Sequence, residues 1–346
     1  MINLCDMTYE ELCEYFVSLG EAKFRAKQVF SFIAKGAESI DDLTTLSKAL
    51  REKLKEEACI FVPEIERKLV SKLDGTIKYL LRLSDGNIIE TVAMSYHHGI
   101  SVCVSSQVGC AMGCTFCAST LGGRVRNLSP GEITGQIIRV MKDLGERVSN
   151  IVVMGIGEPF DNYDNLIKFL KIINSPEGVN LGYRHITVST CGIVPKIIDF
   201  ANEGMSVNLA VSLHAPTDEY RKAIMPVAKR YSLKELIDAC RYYFDKTGRR
   251  ITYEYALIEG KNSSDECVRL LIELLGGDNC HINLIPVNDV KERGNVRVSK
   301  KRVEEFKNML NRGHVTATVR RELGSDISAS CGQLRNSATE KNLQKD

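Results

Sequence analysis

Three cysteines stand close together in GCAMGCTFCAS. Cys110, Cys114 and Cys117 have the spacing C-x3-C-x2-C. Thiolates so spaced sit on one tight loop and can bind three irons of a [4Fe–4S] cube. The fourth iron then lacks a protein ligand and is open to a substrate. A zinc site is the competing reading; it needs a fourth ligand, which Cys103 could supply. Cys103 itself lies in the apolar run SVCVSS and reads equally well as core. Cys331 stands beside Gly332 in a polar loop, which suits an exposed reactive thiol. Glu90, amid the apolar residues of IIETVAM, suggests a buried carboxylate with a raised pKa, suited to base work. An edge-strand glutamate facing water is the alternative for Glu90.

The chain of 346 residues carries twelve cysteines. The opening residues, MINLCDMTYEEL, lack a basic segment followed by an apolar one, so no signal peptide is expected. No apolar run approaches the roughly 20 residues of a membrane span. A cytoplasmic location follows as the expectation, where thiols stay reduced. Cysteines there are ligands, catalytic groups or small core residues. Cys5, Cys13, Cys59, Cys191, Cys240, Cys267 and Cys280 have no motif around them and are assigned to packing. The net charge of only +2 argues against a globally basic nucleic-acid binder. Local basic groups remain: Arg124 with Arg126, Lys229-Arg230, Arg249-Arg250, Lys300-Lys301-Arg302 and Arg320-Arg321. Each is either a solvated face or a phosphate contact.

The elements that must position these groups fall into three regions. Residues 1–62 read as a small helical domain with a basic face (Lys23, Arg25, Lys27). Thr8 and Glu11 have capping-box spacing, and Gly20 is placed to end that helix. Residues 63–98 read as a short antiparallel β extension carrying Glu90, with hairpin turns at Asp74-Gly75 and Asp85-Gly86. Residues 99–335 alternate β-branched runs with helical patterns. The runs are SVCVSS, NIVVMG, HITVST, VNLAVSL, ITYEYAL and HINLIPV; a further strand, HVTATV, follows. This predicts an α/β fold with a parallel sheet, either a partial (β/α)6 TIM-like barrel or a doubly wound open sheet. Residues 336–346 are polar and are expected to be a disordered tail. On parallel sheets active sites gather at the C-terminal strand ends, and the chemical residues fall there.

The cysteine loop resembles that of the radical S-adenosylmethionine superfamily, in which the open iron chelates the cofactor's amino and carboxyl groups. An electron from the cluster then yields a 5′-deoxyadenosyl radical. Phe116 fits that superfamily's aromatic position. MGIGEP (154–159) resembles its GGE motif, which implies Gly157 and Glu158 as cofactor-binding residues. By the same resemblance Ser189, the Ser212-Leu213-His214 stretch and Asn288 line the cofactor. Singly, Ser189 and Asn288 read as ordinary strand-end caps.

A narrower resemblance covers nearly the whole chain. CVSSQVGC, CTFCASTLGG, RNL, MGIGEPFDNYDN, RHITVST, SLHAP, INLIPVN and DISASCGQL, in that order, look like the RlmN family. The resemblance implies methylation of carbon 2 of an adenine in 23S rRNA and in tRNA beside the anticodon. It implies two S-adenosylmethionine molecules per turnover, an electron donor such as a flavodoxin or ferredoxin system, and a monomer. It makes Cys331 the methyl carrier, Cys103 the resolving thiol that leaves a transient disulfide, and Glu90 the proton acceptor. Cfr-type enzymes, which methylate carbon 8, are similar; VRRELGSDI and MGIGEP look more like the carbon-2 branch. Radical chemistry on another substrate, or a zinc-stabilised RNA-binding module without catalysis, are the other readings kept open.

Overall fold

The computed structural model describes residues 1–288, 290 and 292–334; the tail expected over 336–346 lies outside them. The chain opens with β1 (Ile2–Asn3), which pairs in parallel with β2 (Ala58–Cys59) and so ties together both ends of the first region. Between them run α1 (Tyr9–Ser18), α2 (Phe24–Ala34) and α3 (Lys48–Glu57). The capping box at α1 is present: Glu11 N donates to Thr8 Oγ1 at 3.3 Å and Thr8 N to the Glu11 carboxylate at 2.8 Å. Such a cap contributes about 1 kcal/mol. Leu12, Phe16, Val29, Ile33, Leu50 and Leu54 form this region's own apolar cluster.

Next come β3 (Glu64–Val70), β4 (Ile77–Arg82), β5 (Ile88–Tyr96) and β6 (Gly99–Cys103), all antiparallel neighbours. The ribbon of β7 (Gln107–Gly109) and β8 (Arg124–Asn127) follows, then α4 (Pro130–Leu144) and β9 (Val148–Val153). The remaining units are α5 (Tyr163–Asn174), β10 (Ile186–Thr190), α6 (Val194–Asn202), β11 (Asn208–Ser212), α7 (Asp218–Ile224), α8 (Leu233–Thr247), β12 (Ile251–Leu257), α9 (Asp265–Leu275), β13 (Cys280–Pro286), α10 (Lys300–Arg312) and β14 (Ala317–Val319).

One ten-stranded sheet runs β3-β4-β5-β6-β9-β10-β11-β12-β13-β14. From β6 onward every pairing is parallel and the order never reverses. A doubly wound sheet would reverse its order at a switch point. The sequential order is that of the partial barrel, and β14, the further strand read in HVTATV, joins the six as a seventh parallel strand. The β extension is not an appendage: it continues the same sheet through the β5–β6 pairing.

The N-terminal cluster rests on the outer face of the barrel, where Ile138 of α4 and Ile172 of α5 join it. Asp6 accepts from Gly131 N at 2.8 Å, in the first turn of α4. Among the described residues no helix is long and apolar enough to cross a membrane.

Candidate active site

The cysteine loop hangs between the two strands of the β7–β8 ribbon, which sequence reasoning missed. Gly109 makes the tight base of that loop. Its φ is +74°, and a Cβ there would lie 2.0 Å from Gly123 O, so no other residue fits. Thr115 N donates to Ile224 O at 3.0 Å, which fastens the loop to the end of α7. Cys110, Cys114 and Cys117 open onto one cleft. Gly157, Glu158, Ser189, Ser212, His214, Asn288 and Cys331 line the same cleft. The C-terminal ends of β9, β10, β11, β12 and β13 thus converge on it, as a parallel sheet requires.

Each lining residue has a local reason for its place. Gly157 has φ +109°, and a Cβ there would meet the Gln107 side chain at 2.6 Å. Glu158 is buried; its carboxylate accepts from Phe160 N at 3.0 Å and Cys191 N at 2.7 Å. Burial pushes its pKa up despite those bonds. Its side chain is therefore spent on holding the loop after β9 against the loop after β10. His214 has φ +57° and packs edge-on to Phe116, with ring centroids 4.7 Å apart. Its Nδ1 accepts from Ala256 N at 2.8 Å, so the neutral ring carries its proton on Nε2. Burial, with the nearby Arg221 charge, lowers its pKa to about 3.

Leu213 departs from its expected place. Its side chain is wholly buried in the main core and does not border the cleft. Only its backbone serves the site, donating to Glu254 O and accepting from Arg221 Nε. Asn288 does more than line the cleft: its amide donates to Cys331 O at 2.9 Å.

Cys331 is half-buried and sits where the cleft meets a second cavity rimmed by Tyr96 and Arg321. Its loop is strapped down from several sides. Ala118 N donates to Gly332 O at 2.8 Å and Ser119 Oγ to Leu334 O at 2.7 Å. From the β extension, Ser71 Oγ donates to Asp326 at 2.7 Å, and Asp74 accepts from Gly324 N at 2.9 Å. The Cys331 loop is thus held on one side by the cysteine loop and on the other by the turn after β3, in the region read from the sequence as a separate β extension.

Cys103 and Glu90 lie behind the cleft rather than on it. Cys103 packs in a small apolar cluster with Val92, Ile156 and Ala329. Burial, reinforced by the neighbouring Cys331, pushes its thiol up to about 12. Glu90 is only 2% exposed and pairs with Lys78 Nζ at 3.3 Å. That ammonium also donates to Ser328 O at 3.1 Å, so it links Glu90 to the Cys331 loop. The water-facing alternative for Glu90 is excluded by this burial.

Three cleft residues were not foreseen. Glu254 in ITYEYAL is buried, and its carboxylate accepts from Asn283 at 2.9 Å and lies 3.6 Å from Arg320. Arg320 borders both cavities. Cys191, assigned to packing, also lines the cleft beside Glu158. The signal for Glu254 was available: a carboxylate within an apolar strand. Other basic groups are spent internally. Arg126 pairs with Glu132 at 2.7 Å and Asp85 at 2.6 Å, Arg124 with Asp161, and Arg302 with Asp265 at 2.7 Å.

The comparisons with known proteins agree with this geometry. The model of the radical SAM superfamily matches residues 104–273, and that of the ribosomal RNA large subunit methyltransferase N-terminal domain matches residues 2–60. A probable dual-specificity RNA methyltransferase RlmN of Lachnospira eligens is 56% identical over 97% of this chain and 96% of its own. The chain belongs to the RlmN family. A second relative of that name, from Alkaliphilus oremlandii, is also 56% identical, over 96% of this chain and 97% of its own. A solved radical SAM methyltransferase from Sphaerobacter thermophilus superposes with a TM-score of 0.92 at 44% identity, covering 96% of this chain and 99% of that one.

RlmN membership implies a [4Fe–4S] cluster and S-adenosylmethionine, and the residues present fit them. Burial pushes Cys110 up to about 12, and burial together with the charge of the other cysteines raises Cys114 and Cys117. Three neighbouring thiolates, those of Cys110 and Cys114 buried and that of Cys117 partly so, are stable only around cationic metal.

Proposed function

We propose that this chain methylates carbon 2 of an adenine in 23S rRNA and tRNA, with Cys331 as the methyl carrier. One observation carries the reading. Cys331 stands between the cysteine-lined cleft and a second cavity, so its sulfur can face the cofactor on one side and RNA on the other. Carbon 2 lies between two ring nitrogens and is too electron-poor to attack a sulfonium methyl directly.

Cys110, Cys114 and Cys117 would hold the cluster. Gly157, Glu158, Ser189, Ser212 and His214 would shape the bed for S-adenosylmethionine. When bound, these groups supply the one-electron chemistry that opens a C–H bond of the methyl on Cys331. Cys331 holds the methyl as a thioether, in place through Asn288. The methyl on Cys331 would come from a first S-adenosylmethionine, with S-adenosylhomocysteine leaving. Once one of the methyl's C–H bonds is opened, its carbon would bond to carbon 2. Glu90 would take the carbon-2 proton, and the electron supplied at the start would be given back, leaving a thioether between Cys331 and the RNA. Cys103 would then attack the sulfur of Cys331. The bond from that sulfur to the new RNA carbon breaks, a disulfide forms, and the released carbon takes up a proton to become the methyl. An external reductant must then return both thiols. An extruded base suits loop RNA, whose nucleotides unstack at low cost. Tyr96 offers a stacking face and Arg321 a cation at the second cavity's rim. A flavodoxin or ferredoxin system as electron donor, a single chain as working unit and the cytoplasm as location complete the proposal.

The test is Cys103→Ala. Reduced, loaded enzyme of this variant should accumulate a covalent RNA–protein adduct at Cys331, visible by denaturing electrophoresis and peptide mass. Methylated RNA released at the wild-type rate with no adduct would refute the covalent route.

A further inference from the structure

Helix α7 has the sequence DEYRKAI, which reads as a solvated surface helix. Yet Arg221 on that helix is 0% exposed. Its Nε donates to Leu213 O at 3.2 Å, and its Nη2 to Cys191 O at 2.6 Å and Ser212 O at 3.2 Å. Its Nη1 is buried and has no hydrogen-bond partner. No carboxylate lies within 4 Å of it among the described residues. A buried guanidinium without an anion is costly, because neutral carbonyls only partly replace water around a full charge. Asp218, one turn earlier on α7, acts on it only from beyond ion-pair distance, so the guanidinium keeps room for a further negative charge beside its unpartnered Nη1.

The location of that charge follows from the packing. Three residues after Arg221, Ile224 accepts from Thr115 in the cysteine loop at 3.0 Å. Ile224 and Met225 pack with Cys114, Cys191 and Ala215 directly against that loop. The Cys191 whose carbonyl Arg221 holds packs directly against Cys114, so the guanidinium lies one residue behind the cysteine loop. A cube held by three thiolates carries net negative charge, and one-electron reduction adds another. A cation buried this close must stabilise the reduced form more than the oxidised one.

We propose that Arg221 is the buried counter-charge of the cluster and raises its midpoint potential, easing the electron uptake that precedes turnover. This rests on the cluster assignment above. Arg221 touches no substrate; it is a positioning residue acting through charge.

The test is a redox titration of the reconstituted full chain, followed by electron paramagnetic resonance of the reduced cluster. Wild type, Arg221→Gln and Arg221→Lys are compared. Glutamine keeps a hydrogen-bond donor and loses the charge. Lysine keeps the charge and cannot span three carbonyls. Arg221→Gln should lower the equilibrium constant for one-electron reduction about tenfold, a midpoint lower by about 59 mV. Arg221→Lys should stay within about threefold of wild type. An equal shift in both variants, or none in a fully loaded Arg221→Gln, overturns the proposal. If Arg221→Gln fails to fold, Arg221→Lys decides alone: a tenfold loss there overturns it, and a wild-type potential upholds it. A wild-type chain that takes up neither iron nor sulfide refutes the cluster assignment itself and removes the proposal with it.

Discussion

The side-chain amide of Asn288 donates to the main-chain carbonyl of Cys331 at 2.9 Å. A strand end of the barrel thereby holds the loop residue that borders both cavities. Asn288 leaves β13 at the rim of the cleft, and Cys331 lies 43 residues further along the chain. Neither motif alone shows that the two meet.

Removing this bond should misplace Cys331 without emptying the cleft. Asn288→Ala is expected to slow methyl transfer about 100-fold, the usual consequence of a displacement near 1 Å at a reacting atom. Reductive cleavage of S-adenosylmethionine should fall far less. Single-turnover assays of 5′-deoxyadenosine and methylated RNA, run side by side, separate the two. Equal losses in both would show that Asn288 serves the cofactor instead.

Lys78→Met should remove the ammonium that lies 3.3 Å from the buried Glu90 carboxylate. Breaking one side of such a pair costs about 3–5 kcal/mol. The double variant Lys78→Met/Glu90→Leu should recover much of that loss, since it removes the buried carboxylate as well. Urea unfolding of the three proteins measures it. A stable single variant would mean that Glu90 does not depend on the Lys78 pair.

His214 gives the protein an acid-side sensitivity with a definite sign. Its folded pKa of about 3 lies below the ordinary 6.5. The unfolded chain therefore binds the extra proton. The stabilisation is complete above pH 6.5 and is lost as pH falls toward 3. Between pH 6.5 and pH 5 the loss from this group alone is about 2 kcal/mol. His214→Gln should flatten the urea midpoint over that interval. An unchanged slope would show that other groups dominate.

Cys103, with its thiol near 12, is almost wholly protonated at neutral pH. Attack through its thiolate should therefore quicken about tenfold per pH unit from pH 7 to 9. Release of RNA from the Cys331 adduct, followed by rapid quench, reports that step. A plateau below pH 9 would mean that the thiol is activated during turnover.

Much of the fold could be read in advance because its signals are local. β-branched runs marked the parallel strands, Asp-Gly pairs the hairpins, and C-x3-C-x2-C the loop. The β7–β8 ribbon escaped because Gln107–Gly109 and Arg124–Asn127 are short, polar and separated by the loop they carry. Lys78 escaped because its meeting with Glu90 depends on strand register: Leu80, not Lys78, stands opposite Glu90. The diagonal neighbour is the one that pairs. Arg221 was hidden by its surroundings, since Asp218, Glu219 and Lys222 give α7 the look of a surface helix. Burial there is set by α7 packing on the cysteine loop, a contact between segments about 100 residues apart.

Which carbon receives the methyl is the most direct test of the proposed chemistry. Anaerobically reconstituted, reduced enzyme is incubated with S-adenosylmethionine and either 23S rRNA or tRNA. The RNA is digested, and its nucleosides are separated and identified by mass against standards. The expected product is 2-methyladenosine in both RNAs, lost in Cys331→Ala, which should still cleave S-adenosylmethionine. 8-Methyladenosine alone, or methylation that survives Cys331→Ala, would contradict it.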